Sequence, residues 1–183
     1  MRYNTQMIVE RYNSGETMEF IFFWGHTANP GKTRKACLSQ WYACDFEVDG
    51  QKYHTTEQFM MAQKALLFGD RDTYEMIMAA DNPKDYKALG RLVKNFVSEI
   101  WDKNKLEIVV RGNIAKFSQN EALREFLLET GEKVLVEASP YDGIWGVNLG
   151  MDDPKIQNPN NWKGENLLGC ALMEARDILR EKV

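Results

Sequence analysis

The sequence has little of what metal sites and disulfide frameworks require. It contains three cysteines, Cys37, Cys44 and Cys170, and two histidines, His26 and His54. No two cysteines form a CxxC pair, and the spacing of these residues does not match a set of metal ligands. We therefore expect no bound metal and no disulfide. We interpret Cys44 and Cys170 as small core residues rather than as a catalytic thiol.

Long apolar runs and an excess of positive charge are also missing. No stretch approaches the about eighteen apolar residues that span a bilayer, and residues 1 to 6 contain no signal-peptide core. We therefore expect a cytoplasmic protein with no membrane partner. The formal net charge of −4 argues against broad, non-specific binding of nucleic acid. It leaves room for a local basic pocket.

Length and composition are those of an ordinary globular protein. The 183 residues, 44% of them hydrophobic and 27% charged, are enough for one well-filled core and few for two. We expect one domain over residues 1 to 183, with a core at about 20 to 180. The sequence contains no Gly-rich phosphate-binding motif of the GxGxxG or P-loop type and no internal repeat.

Hydrophobic patterns and turn residues predict an α+β protein that is mostly α, with a few short strands. Strands are predicted at 20 to 24 and 134 to 137, and a hairpin is predicted at the Asp49-Gly50 turn. Residues 147 to 163 are expected to be irregular. We expect Ser98 and Asn120 to cap two of the helices. Helices are predicted at 55 to 67, 71 to 80, 83 to 92, 98 to 117, 120 to 129 and 165 to 180.

The stretch from 55 to 64 carries the first candidate for chemistry. Thr55 and Gln58 have the spacing of a capping box, which places Glu57 in the first turn of a helix. A carboxylate there is stabilised by the helix dipole, by about 0.3–1 kcal/mol when exposed and more when partly buried. We interpret Glu57 as a base or as an anion that stabilises positive charge. Lys64 lies two turns further on nearly the same face, so one substrate could meet both charges; the alternative is a pair of solvated charges.

A second carboxylate follows the strand predicted at 134 to 137, which ends at Glu137. The loop after this strand contains Asp142, Trp145 and two glycines. Such a loop can present a carboxylate and a stacking surface on a rigid support. The alternative is that Asp142 forms a turn and Trp145 belongs to the core.

Residues 25 to 35 are rich in turn formers and contain three cations, Lys32, Arg34 and Lys35. The segment is interpreted either as a solvated loop or as a flap that binds phosphate, because Lys and Arg donors match phosphate oxygens. Together, two carboxylates, several cations and five tryptophans suit cleavage of a glycosidic bond to a base. The same set would equally suit a nucleotide-binding pocket without catalysis.

A series of motifs in fixed order carries a family resemblance. These motifs resemble the YbiA-like, or NADAR, family over about residues 20 to 179. The motifs are Glu57-Gln58-Phe59 with Ala62-Gln63-Lys64, Trp101, Lys116-Phe117, Leu128-x-Thr130-Gly131, Leu135-Val136-Glu137-Ala138, Asp142-x-x-Trp145-Gly146 and Gly164-x-Asn166-x-Leu168-Gly169.

The resemblance implies a compact, mostly α fold and an N-glycosidase, a hydrolase acting on N-glycosyl bonds. Family members hydrolyse phosphorylated ribosylamino-pyrimidine intermediates of riboflavin synthesis, and others remove ADP-ribose from guanine in nucleic acid. The implied partner is a small phosphorylated ribosyl substrate, and no cofactor is required. Two alternatives stay open: an ADP-ribosyl-guanine hydrolase acting on modified nucleic acid, and a module that binds ADP-ribose or NAD-derived ligands without turnover.

Motif positions imply a set of site residues. Glu57 would stabilise the ribosyl cation or align water, and Asp142 would be the partner acid or base or a ligand of a ribose hydroxyl. The chain differs from compact family members in its basic segment at 26 to 37 and its insertion at 147 to 163, which could suit a larger ligand such as ADP-ribosylated nucleic acid. The residues implied in substrate or phosphate binding are Arg34, Lys35, Lys64, Trp101, Trp145, Gly146 and Asn166.

Overall fold

A computed structural model describes residues 2 to 26 and 34 to 181, except for the side chain of Arg34. This part of the chain contains seven α-helices and four short strands, so the prediction of an α+β, mostly α fold is confirmed. The helices are α1 Thr5–Asn13, α2 Thr56–Leu67, α3 Arg71–Ala79, α4 Pro83–Gly90, α5 Ser98–Gln119, α6 Glu121–Glu129 and α7 Leu167–Arg180. The strands are β1 Phe20–Phe23, β2 Phe46–Val48, β3 Gln51–Tyr53 and β4 Val134–Glu137.

Contacts divide the chain into two units. The first unit comprises Met1–Ser39 and Glu121–Val183, and the second comprises Gln40–Asn120. The single domain expected from the sequence stays a prediction. None of the helices in the described ranges is both long and apolar enough to cross a membrane. The cytoplasmic location also stays a prediction.

Helix α2 is the centre of the second unit, where it contacts α3, α4 and α5. Its residues Phe59, Ala62 and Ala65 are completely buried. The Thr55 hydroxyl accepts a hydrogen bond from the Gln58 N–H at 3.0 Å, as the capping box predicts. The Gln58 side chain, however, accepts from the N–H of His54 at 2.8 Å, one residue before the cap.

The Asp49-Gly50 turn joins β2 to β3 as predicted. Asp49 and Gly50 both have positive φ, 53° and 78°, which is the backbone of a type I′ turn. This turn matches the twist of the flanking strands, and Glu47 lies opposite Lys52 in the resulting hairpin. The hairpin leads the chain directly into α2.

The capping role predicted for Ser98 is wrong. Helix α5 has Val97 at its cap position, without a side-chain cap, and Ser98 is already its first residue. The Ser98 hydroxyl donates to the carboxylate of Glu99 at 3.2 Å. Asn120 donates from its side chain to the carbonyl of Lys116 at 2.8 Å, so it satisfies a carbonyl at the end of α5.

The first unit is built on two parallel strands. β1 pairs with β4 in a register that places Phe20 opposite Val134 and Phe23 opposite Glu137. Helix α7 packs on β4. Residues 147 to 163, expected to be irregular, also contain two short 3-10 helices, Pro154–Gln157 and Pro159–Asn161.

Candidate active site

Glu57 lies in the first turn of α2, and its side chain is only 4% exposed. Its N–H donates to the carbonyl of Gln40 at 3.0 Å, and the hydroxyl of Thr56 donates to the same carbonyl at 3.2 Å. The predicted position is confirmed, and the burial exceeds that of an ordinary carboxylate at a helix end. In a medium of low dielectric, such a carboxylate attracts positive charge more strongly than it would in water.

Two further polar side chains are buried in the same unit. Gln40 is 6% exposed and Asn113 of α5 is completely buried. The Asn113 Nδ2 atom donates to the Oε1 atom of Gln40 at 3.2 Å and to the carbonyl of Val109 at 2.9 Å. The amide pair Gln40–Asn113 is thus connected to the first turn of α2 through the carbonyl of Gln40.

Lys116 is also completely buried, one helical turn after Asn113 on the same side of α5. Its ammonium lies 5.4 Å from the ring centroid of Tyr42 and 5.2 Å from that of Phe117. We call Gln40, Thr56, Glu57, Asn113 and Lys116 the buried polar cluster.

Sequence reasoning did not assign Gln40 or Asn113 to the site, and it noted Lys116 only as a cation in a motif. The sequence of α5 contains one indication that polar residues are buried there. Val109, Asn113 and Lys116 recur at the spacing of a buried helix face, and two of these three residues are polar. Buried polar side chains generally have hydrogen-bond partners, and those without a partner often have a functional role.

Lys64 and Trp101 lie together in the second unit. The Lys64 ammonium is 5.6 Å from the ring centroid of Trp101 and 4.4 Å from that of Phe96. It donates to the carbonyl of Gly90 at 2.7 Å, and burial lowers the pKa of Lys64. Lys64 therefore already has a partner at the end of α4. Its predicted contact with substrate or phosphate stays a prediction.

An open groove of about 380 Å³ also lies in the second unit, lined by residues of α2 and α5. None of the residues predicted for the site lines this groove, so we do not assign the site to it. Its lining residues are Gln63, Leu66, Leu67, Asn104, Glu107, Ile108 and Arg111.

Asp142 lies in the first unit, half-buried in the loop that follows β4. Its Oδ1 atom accepts hydrogen bonds from the N–H groups of Ile144 at 2.9 Å and Trp145 at 2.8 Å. Asp142 therefore forms a turn, as the alternative interpretation proposed, and it fixes the backbone of Trp145. Within the described residues, its Oδ2 atom makes no hydrogen bond.

Asn166 holds this loop against β4. Its completely buried side chain accepts from the N–H of Glu137 at 3.0 Å and donates to the carbonyl of Leu135 at 2.9 Å. These are alternate residues of one strand, so Asn166 bonds to β4 as a neighbouring strand would. Its own N–H donates to the carbonyl of Gly146 at 3.1 Å.

The beginning of α7 is bonded to the same loop. The N–H groups of Leu167 and Leu168 donate to the carbonyls of Ile144 and Trp145 at 3.2 and 3.1 Å. These N–H groups would otherwise lack partners at a helix start. They bind the loop rather than an anion, so the Asn166 motif positions Asp142 and Trp145.

The predicted phosphate contacts at Arg34 and Lys35 are described only in part. Arg34 begins the 3-10 helix Arg34–Leu38, but its side chain lies outside the described residues. Lys35 is exposed. Residues 27 to 33 of the basic segment also lie outside the described residues, so the phosphate-binding flap stays a prediction.

The cysteines have the character of core residues. Cys37 and Cys170 are buried, and burial raises the pKa of Cys170 to about 12. Burial also raises the pKa of the half-buried Cys44. A thiol needs a lowered pKa to act as a nucleophile near neutral pH. Within the described ranges, no three His, Cys, Asp or Glu side chains are grouped as metal ligands would be.

Comparison with known proteins identifies the family. The family model of the NADAR domain matches residues 22–180. The chain belongs to the NADAR domain family. An N-glycosidase of Acanthamoeba polyphaga mimivirus is 45% identical over 167 residues, which cover 88% of this chain and 97% of that protein. An N-glycosidase of Nostoc punctiforme is 31% identical over 144 residues, which cover 79% and 85% of the two chains.

A solved structure of another NADAR relative agrees with this assignment. The NMR structure of the Escherichia coli protein YbiA matches with a TM-score of 0.72 at 29% identity, covering 90% of this chain and 86% of that one. The family resemblance drawn from the motifs is thus confirmed. The names of the relatives bear out the prediction of a hydrolase acting on N-glycosyl bonds.

Proposed function

We propose that this NADAR protein is an N-glycosidase that hydrolyses the bond between ribose C1 and a nitrogen of a phosphorylated ribosylamino-pyrimidine, an intermediate of riboflavin synthesis. The observation that carries the proposal is the burial of Glu57, 4% exposed in the first turn of α2 beside other buried polar side chains. Two relatives named N-glycosidases support the type of bond. The pyrimidine substrate comes from the family resemblance.

Glu57 acts on the charge that develops during bond cleavage. As the C1–N bond breaks, positive charge spreads over ribose C1 and the ring oxygen. A buried carboxylate stabilises this charge, and it can also orient the attacking water. The hydroxide part of the water forms the new bond to C1, and the remaining proton goes to the leaving nitrogen. The reaction requires no cofactor.

Asp142 is proposed as the second carboxylate, on the geometry of its own loop. Its Oδ1 atom is held by two N–H groups, which leaves Oδ2 for a ribose hydroxyl or for a proton transfer. Trp145, fixed by the same turn, is proposed to stack on the leaving base, as is Trp101. Arg34, Lys35 and Lys64 are proposed phosphate contacts.

The test measures release of ribose 5-phosphate from the ribosylamino-pyrimidine phosphate by the wild type and by Glu57→Gln. Removing the carboxylate charge while keeping its shape should lower kcat about 100-fold or more. Glu75→Gln is the matched control, because Glu75 is exposed on α3 of the same unit. A folded Glu57→Gln variant with the wild-type rate would show that Glu57 has no catalytic role.

The second candidate function is hydrolysis of ADP-ribosylated guanine in nucleic acid. The basic segment with Lys32, Arg34 and Lys35 favours this reading, because cations close together in the sequence can contact a phosphate backbone. An oligonucleotide carrying ADP-ribosyl-guanine should then be the better substrate, and its binding should weaken steeply with salt. Thermal stabilisation by ADP-ribose with no product from either substrate would instead indicate a binding module.

A further inference from the structure

The amide pair Gln40–Asn113 has one donor and one acceptor that the protein does not use. Asn113 Nδ2 makes two hydrogen bonds, to Gln40 and to the carbonyl of Val109. Within the described part of the chain, Gln40 Nε2 and Asn113 Oδ1 have no hydrogen-bond partner, and both atoms are buried. Folded proteins keep few such groups, because burial without a partner costs free energy.

The orientation of both amides follows from their neighbours. Exchanging the oxygen and nitrogen of Asn113 would place its Oδ1 atom against the carbonyl oxygen of Val109, and two acceptors would then face each other. Asn113 must therefore present Nδ2 to Val109 and to Gln40. Gln40 in turn must present Oε1 to Asn113, which leaves its Nε2 donor unused.

The pair lies at the candidate catalytic residue. The carbonyl of Gln40 accepts from the N–H of Glu57 at 3.0 Å and from the hydroxyl of Thr56 at 3.2 Å. The buried polar cluster therefore combines a carboxylate with one unused donor and one unused acceptor. The hydrogen bond between the Glu57 N–H and the Gln40 carbonyl places this amide pair next to the first turn of α2, where Glu57 would meet the substrate.

We propose that Gln40 and Asn113 recognise the leaving base through a ring edge that carries a carbonyl next to an N–H. The base carbonyl accepts from Gln40 Nε2, and the base N–H donates to Asn113 Oδ1. This inference rests on the proposed N-glycosidase function and adds the two residues that select the leaving base, Gln40 and Asn113, by its lactam edge. A base with an amino group in place of the carbonyl would present a donor to a donor, and such a site rejects it.

The experiment compares two free bases as ligands and as product inhibitors. The first is 5,6-diaminouracil, which has the lactam edge, and the second is 2,4,6-triaminopyrimidine, which lacks the carbonyl. Titration calorimetry with the wild type should show at least tenfold tighter binding of 5,6-diaminouracil. Equal affinity for the two bases, or binding of neither, would overturn the inference without any variant.

Two substitutions at Gln40 then locate the preference. Gln40→Glu places a carboxylate opposite the base carbonyl, and Gln40→Met removes the donor at nearly constant volume. Each variant should lose at least tenfold in affinity for 5,6-diaminouracil and most of its preference over the triamine. Gln51→Glu is the control, because Gln51 is exposed in β3 and receives the same charge change.

The outcomes separate this inference from the proposed function. If the wild type and both Gln40 variants release ribose 5-phosphate with the same KM and the same base preference, the inference is wrong and the N-glycosidase remains. Lower thermal stability of Gln40→Met with unchanged base binding would show that the amides serve only the fold, and would overturn the inference. If no sugar is released but the wild type prefers the lactam base through Gln40, base recognition stands and the N-glycosidase proposal fails.

Discussion

Replacing Asn166 tests whether this residue supports the fold or contacts the substrate, as its motif position implied. Its buried side chain joins the N–H of Glu137 and the carbonyl of Leu135. Asn166→Gly removes both hydrogen bonds and leaves two backbone groups of β4 unpaired, at about 1–3 kcal/mol each. The free energy of unfolding should therefore fall by about 2–6 kcal/mol.

The backbone at Asn166 adds a second, separable effect. Asn166 has a φ of 52°, in the left-handed region that asparagine and glycine tolerate better than alanine. Asn166→Ala should therefore be less stable than Asn166→Gly by about 1–2 kcal/mol. Asn166→Asp keeps the acceptor for Glu137 but places an oxygen against the Leu135 carbonyl, so it should also be destabilised.

Urea unfolding at pH 7, followed by tryptophan fluorescence, measures these differences. Asn148 provides the matched control, because it is exposed and has a similar φ of 56°. Asn148→Gly should change stability by less than about 0.5 kcal/mol, and Asn148→Ala should show only the cost of the backbone. An Asn166→Gly variant as stable as Asn148→Gly would refute the reasoning. If its substrate affinity were reduced as well, Asn166 would be a substrate contact.

Three further predictions concern packing, thiol chemistry and pH. Gly169→Ala should lower the free energy of unfolding by about 3 kcal/mol or more, because a Cβ at this position would lie 2.0 Å from a β4 carbonyl oxygen. Gly150→Ala is the control, because a Cβ there meets nothing within 4 Å. Thermal unfolding measures both variants. Cys170, with a pKa of about 12, should resist a thiol reagent at pH 8 until the protein is unfolded in urea. The hydrogen bond from the Lys94 N–H holds the pKa of Asp70 below its usual 3.8. The ionised Asp70 therefore stabilises the folded protein, and this stabilisation is lost as pH falls through the lowered pKa of Asp70. The stability difference between wild type and Asp70→Asn, measured in urea, should thus shrink below about pH 4.

The sequence predicted those features that depend on a few neighbouring residues. The Asp49-Gly50 turn and the Thr55 cap each involve contacts within four residues, so their side chains alone indicate the structure. The helix predicted to begin at Pro83 also does so, and Asn82 is its capping residue. Such local signals were enough to place most helices and the fold class.

Features that depend on weak local patterns were missed. Helix α1 was not predicted, because Ile8 is its only buried residue and its sequence shows no apolar stripe. Its one clear signal is Asn4, whose side chain accepts from the N–H of Met7 at 2.8 Å. Ser98 was assigned as a cap because its residue type favours one, although the helix begins one residue earlier than that role requires.

Contacts between distant parts of the chain could not be read from local patterns at all. Gln40 and Asn113 are 73 residues apart, and neither lies in a motif that suggests the other. Asn166 bonds to β4 across 29 and 31 residues. Family motifs marked Asn166 as important, but only the hydrogen bonds show what its side chain contacts.

The distinction between residues that hold a loop and residues proposed for chemistry decides how a loss of activity in a variant should be interpreted. Asn166 and Gly169 belong to a motif whose side chains and close backbone contacts hold the loop of Asp142 and Trp145. An inactive variant at either position would therefore report a displaced loop as readily as a lost substrate contact. Glu57 has no such ambiguity when Glu57→Gln unfolds like the wild type, because this substitution keeps the shape and removes the charge. Activity measured together with stability thus separates the residue proposed for chemistry from those that position the loop.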